Sequence, residues 1–154
     1  MRLKFLAVFF VLSSFFAGCS SLLLTPVNFA WPLESALKVD ESGNITENRY
    51  AVTINVKNMF FDETAAADKF AGSEVHIIRN EKGFYFLTAS NFKNVYVFVA
   101  AEGSLKLTNK ILVNTKGIEN PAFNQREPNI ELLVKNGTPI VLTNEGIVGG
   151  KNEK

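Results

Sequence analysis

Residues 95–113 read VYVFVAAEGSLKLTNKILV, and this stretch decides the fold class. Val95, Tyr96, Val97, Phe98 and Val99 are apolar or aromatic on both parities, which predicts a central strand covered on both faces. Glu102-Gly103 is a two-residue turn signal. Beyond it Leu105, Leu107, Ile111 and Val113 share one parity, so the pattern predicts a second strand with a single apolar face.

Working outward, two more hairpins follow from local chemistry. The runs 74–79 and 84–88 flank Asn80-Glu81-Lys82-Gly83, a four-residue connection. The runs 130–135 and 138–143 flank Asn136-Gly137, in which both residues tolerate positive φ. Pro139 confines its strand to an edge, or to a place where no ladder donor is needed. Residues 49–60 alternate, with Tyr50, Val52, Ile54, Val56 and Phe60 on one parity, and predict a strand with one wet face. Ahead of it, Leu37 and Val39 lead into Glu41-Ser42-Gly43-Asn44, a turn composition suggesting a first hairpin. Helix signals are thin. Glu63 to Phe70, with three alanines and Asp62 as a cap, could form two turns. The expectation is an all-β antiparallel sandwich of about seven or eight strands with at most one short helix.

The N-terminus carries a different kind of signal. Arg2 and Lys4 precede an apolar run from Phe5 to Phe16, too short for a spanning helix, which needs roughly 20 apolar residues. Phe16-Ala17-Gly18-Cys19 closes that run with the only cysteine of the chain. This segment resembles a bacterial lipobox, with phenylalanine where leucine is commonest. The resemblance implies a signal peptide over residues 1–18, removed on maturation, and acyl chains on Cys19. Two or more chains anchor a protein stably to a bilayer. Ser20 rather than aspartate after the cysteine implies the outer membrane, by likeness to enterobacterial lipoproteins. Residues 19–33, with Leu22-Leu23-Leu24 and Trp31-Pro32, are expected to form a short apolar tether. Residues 34–148 are then the sandwich domain, and 149–154 a polar tail.

Composition narrows the function classes. Loss of Arg2 and Lys4 takes the 16 basic residues to 14, against 15 acidic, so no nucleic-acid partner is expected. With Cys19 acylated no thiol remains for a disulfide, a nucleophile or a metal. His76 stands alone and reads as a hydrogen-bonded or surface residue, without a partner histidine or a nucleophile turn. Asp40-Glu41 and Asp62-Glu63 read as solvated turn charges. No catalytic residue, no metal ligand and no cofactor is therefore expected, and the chain is not read as an enzyme.

One further segment stands out. Residues 114–129, NTKGIENPAFNQREPN, form a long polar connection, a length that tends to be functional. Phe123 at its middle either plugs the end of the sandwich or meets a partner. Phe123, Gln125 and Arg126 are the candidate partner contacts. The first expectation of function is a membrane-held interaction or accessory subunit of an envelope assembly. The alternative is a binding module for a small apolar or glycan ligand, with Phe84-Tyr85-Phe86 and Tyr96 lining a barrel-like cavity.

Overall fold

The computed structural model describes residues 33–49, 51–64 and 70–149. Cys19, the signal-like segment and most of the expected tether lie outside the described residues, as does the tail beyond Gly149. The strands are β1 (Ser35–Lys38), β2 (Asn44–Glu47), β3 (Val52–Asn55), β4 (Glu74–Arg79), β5 (Phe84–Ala89) and β6 (Asn94–Ala101). They continue with β7 (Ser104–Leu112), β8 (Ala122–Arg126), β9 (Asn129–Leu133), β10 (Ile140–Thr143) and β11 (Gly146–Ile147). One helix, α1 (Lys57–Thr64), follows β3. Among the described residues no helix is long and apolar enough to cross a membrane.

The strands form an antiparallel five-stranded sheet in the order β1-β4-β5-β6-β7, a four-stranded sheet β11-β10-β9-β8, and the hairpin β2-β3. The fold is the expected all-β sandwich. The large sheet is its shared middle layer. Val75 and Ile77 of β4, Tyr85 and Leu87 of β5, and Tyr96 of β6 belong to a first apolar cluster with Ile45, Val56, Met59, Phe60 and Phe92. On the opposite parity Ile78, Phe86, Val95 and Val97 join Phe123, Ile130, Leu132 and Leu142 in a second cluster, beneath the four-stranded sheet. Strands β4, β5 and β6 are buried on both sides, which explains why their sequences are apolar on both parities.

Three hairpins, β4–β5, β6–β7 and β9–β10, lie where the turn chemistry places them. Asn80 Oδ1 accepts from the Phe84 amide at 2.9 Å and closes the β4–β5 turn. Ala101 pairs with Ser104 across Glu102-Gly103, where Gly103 takes φ 64. The Asn136-Gly137 turn also holds, but its connection is longer, because the ladder begins only at Leu132 opposite Ile140. Pro139 falls just before β10, where no donor is needed, and β10 is internal, between β9 and β11.

Five expectations are corrected, the last of them on β7. First, eleven strands replace seven or eight among the described residues, the additions being short. Second, residues 49–60 are not one strand. Alternation holds only over β3, and at Val56 the apolar spacing becomes i, i+3, i+4 through Met59 and Phe60, the period of a helix. Asn55 Oδ1 accepts from the Lys57 amide at 3.3 Å and helps to start the helix there. So α1 begins six residues before Glu63, and Asp62 lies inside it instead of capping it. Third, β1 and β2 do not form a hairpin. The turn at 40–43 is present, with Asn44 N donating to Asp40 Oδ1 at 2.8 Å, but it carries the chain from the large sheet into the β2-β3 hairpin. Fourth, the polar connection 114–129 contains β8, which pairs with β9 from Ala122 opposite Leu133 to Arg126 opposite Asn129.

Strand β7 holds the correction that matters most for function. Its register against β6 shifts between Val97 and Phe98, so that Val97 faces Asn109 while Phe98 faces Leu107. Thr108 is the extra residue of a β-bulge, and a bulge reverses the facing of everything beyond it. Ile111 and Val113 therefore join the second cluster. Leu105 packs on the first. Residues expected to share a face are divided between the two sides of the sheet.

Candidate functional site

The bulge leaves Leu105 and Leu107 facing the same side as Tyr96 and Phe98, and there the sheet is not fully covered. The hairpin β2-β3 and α1 roof only part of that face. Between them and the β6–β7 hairpin runs an open groove of about 1010 Å³. Tyr85, Tyr96 and Phe98 form its floor. Val52, Ile54 and Met59 form one wall, and Leu105 and Leu107 the other. Small polar groups, Thr53, Asn55, Asn58 and Ser104, sit around the apolar surface. The volume is at the upper end of ligand pockets, about 300–1,000 Å³.

One end of the groove is charged. Asp62 on α1 and Lys110 on β7 form an ion pair across it, with side chains 47% and 37% exposed. The Lys110 ammonium also lies 5.5 Å from the centre of the Tyr96 ring. The Tyr96 oxygen is 2.5 Å from Asp62 Oδ2 and 2.9 Å from Glu63 Oε1, so two carboxylates share one phenolic proton. Glu63 is held from behind, by the Lys93 amide and by Asn94 Nδ2, each at 2.6 Å. The Lys110 hydrogen bond, followed by that of Tyr96, holds the Asp62 carboxyl below the usual aspartate range. Burial, reinforced by the hydrogen bonds to Asp62 and Glu63, pushes the Tyr96 phenol far above the usual tyrosine value. Tyr96 is thus a fixed neutral donor. It positions Asp62 rather than exchanging protons.

Of the aromatic residues expected to line a cavity, Tyr85 and Tyr96 do so. Phe84 and Phe86 alternate with Tyr85 and face the second cluster instead. The sequence marks Asp62 only as a turn charge or helix cap, and Lys110 carries no local signal. The two are 48 residues apart and meet only through the fold.

The candidate partner contacts lie on the other side of the large sheet. Phe123 is 5% exposed and fills the second cluster, which is the plugging alternative. Its amide donates to Glu34 Oε1 at 2.7 Å. Gln125 Nε2 donates to Glu127 at 2.7 Å, and Arg126 pairs with Glu131 at 3.1 Å. The last two remain at the surface of β8, away from the groove. His76 is hydrogen-bonded, with Nδ1 at 2.8 Å from Glu34 Oε1 and Nε2 at 3.4 Å from Glu74. Glu34 thereby joins the start of β1 to both sheets.

Among the described residues no group of three His, Cys, Asp or Glu side chains is placed to hold a metal ion. No protein-family model matches the chain, and comparison with curated proteins and with solved structures finds no match.

Proposed function

We propose that this chain is a lipid-anchored, non-catalytic binding domain of the bacterial envelope, whose groove holds a small and largely apolar ligand. The observation that carries the ligand reading is the groove itself: an aromatic floor between two aliphatic walls, open to solvent, with one charged end. Such a surface gains by covering apolar area, about 25 cal/mol per Å². The anchoring reading is supported by the lipobox resemblance at Cys19, and Ser20 after it supports the outer membrane as the address.

Native mass spectrometry of the full chain, released from membranes of its own host, tests both. An acylated N-terminal Cys19 and a co-purifying small molecule are expected. The small molecule should be lost in Leu107→Glu, a substitution at a 47% exposed position. Bare protein in both preparations would overturn the ligand reading, and an unmodified N-terminus the anchor.

A second reading, an interaction subunit of an envelope assembly, is favoured by one observation. Leu112 follows Lys110 on the same face of edge strand β7 and is 54% exposed, beyond the end of the groove. Leu112→Glu would then lower recovery of a stoichiometric protein partner after cross-linking, whereas the ligand reading leaves that variant unaffected.

A further inference from the structure

The charged end of the groove points to the head of its ligand. Resting on the ligand reading above, we propose that the groove binds a single-chain zwitterionic amphiphile, one that carries an anionic phosphate and a cationic ammonium on one acyl chain. In this arrangement the phosphate meets Lys110 and the ammonium meets Asp62. The chain lies along Val52, Ile54, Phe98, Leu105 and Leu107.

Three observations carry this. The first is charge complementarity. Among the described residues, Asp62 and Lys110 are the only charged side chains lining the groove. They touch each other, so a head of either single sign gains one attraction and meets one repulsion at nearly the same distance. A head with both signs gains two attractions, and opposed charge pairs in adjacent positions satisfy each other. Both side chains are partly exposed, and a lysine ammonium has three donors of which the bond to Asp62 uses one. The pair is therefore open to further partners rather than sealed.

The second observation is the asymmetry behind the pair. Tyr96 and Glu63 back the Asp62 side, with Glu63 fixed by Lys93 N and Asn94. That second carboxylate stands outside the groove lining and adds negative potential where the ammonium would sit. Tyr96 fixes Asp62 in place and acts as a positioning residue.

The third is the wall chemistry. A sugar would use the aromatic floor and the polar rim but would leave the aliphatic walls of β3 and β7 uncovered. A hydrocarbon chain covers them. The partly exposed ion pair at one end keeps a polar head in contact with water while the chain is withdrawn from it.

The test uses the full chain in phosphatidylglycerol vesicles with four photoactivatable probes of equal chain length, each bearing a diazirine on the chain. Their heads are lysophosphatidylethanolamine, lysophosphatidylglycerol, trimethylammonium and maltoside: zwitterionic, anionic, cationic and uncharged sugar. Cross-linked peptides are mapped by mass spectrometry. The zwitterionic probe should label the peptides of β3 and β7 at least tenfold more than each of the others. Asp62→Asn and Lys110→Gln should each reduce that labelling about tenfold, with circular-dichroism melting confirming that the variants are folded. Equal labelling of the groove by all four probes, or undiminished labelling of the two variants, would overturn the head-group assignment and leave the apolar-ligand reading standing. Dominant labelling by the maltoside would replace it with a glycan head. Labelling confined to other surfaces would overturn both.

Discussion

Tyr96 is the residue on which the charged end of the groove depends. Its hydroxyl sits between two carboxylates, and a hydrogen bond to a charged group contributes about 1.5–3 kcal/mol. Tyr96→Phe is expected to lower unfolding free energy by about that amount in urea titrations. The pH dependence should also change. The raised phenol favours the protonated form in the folded state, so its contribution is complete below the ordinary tyrosine value of about 10 and declines as pH rises above it. The alkaline loss should be shallower in Tyr96→Phe. Asp62 has the opposite sign. Its lowered value makes its contribution complete above about pH 4 and lost as pH falls through the depressed value. Lys110→Gln should flatten that acid limb, with urea midpoints measured from pH 2 to 6 as the check. Glu34 is the second residue that bears on several elements. One of its oxygens accepts from both His76 and the Phe123 amide. Glu34→Ala leaves a backbone donor without its acceptor and should cost about 1–3 kcal/mol in the same titration.

At the scale of the element, the bulge of β7 decides what the groove is made of. Deleting Thr108 would remove the extra residue and restore simple alternation. Leu105 and Leu107 would then turn toward the second cluster, or else Ile111 and Val113 would leave it. A large fall in melting temperature is expected. Amide cross-peaks between Phe98 and Leu107, measured by NMR, should vanish from their wild-type register. Unchanged melting would mean that the register tolerates either facing. The helix teaches a related lesson. Most of the strands were legible because each carries its period and its turn within a few residues. The change from β3 to α1 was not, because Val52, Ile54, Val56 and Phe60 fit period two as well as Val56, Met59 and Phe60 fit 3.6. Packing against Phe92, whose ring lies 4.8 Å from Phe60 and 6.1 Å from Tyr96, accompanies the helical choice. Strand β8 was hidden for a different reason. Its five residues, AFNQR, include one large apolar side chain, and pairing with β9 supplies what composition does not.

For the whole molecule, the governing fact is that one sheet serves two cores. Phe86 is fully buried in the second cluster and Leu87, its neighbour, in the first. Phe86→Ala should cost about 3–5 kcal/mol, a large share of the 5–15 kcal/mol typical of a domain. Because both clusters are bonded to the same strands, that loss should move unfolding of the groove side equally. Near-UV circular dichroism, to which the buried Tyr85 and Tyr96 contribute, and far-UV circular dichroism should give one coincident urea transition. Two separate transitions would show that the layers unfold independently. The sandwich was legible as a class because strands such as Val95–Val99 announce cover on both faces. The site was only half legible: Tyr85 and Tyr96 stood out as aromatic, while Asp62 and Lys110 become partners through a tertiary contact that no local pattern encodes.

The order of the large sheet sets β1 and β7 at its two rims. The described chain begins beside β1, and the groove opens beside β7. Four interstrand spacings of about 4.8 Å separate them, roughly 19 Å. A pulling force applied at Glu34 would therefore be delivered to the rim farthest from the groove. It meets first a four-residue strand, bonded in its sheet to β4 alone and clamped by Glu34. Under such a force that strand would peel before the trough is disturbed, because the two lie at opposite margins of the same sheet.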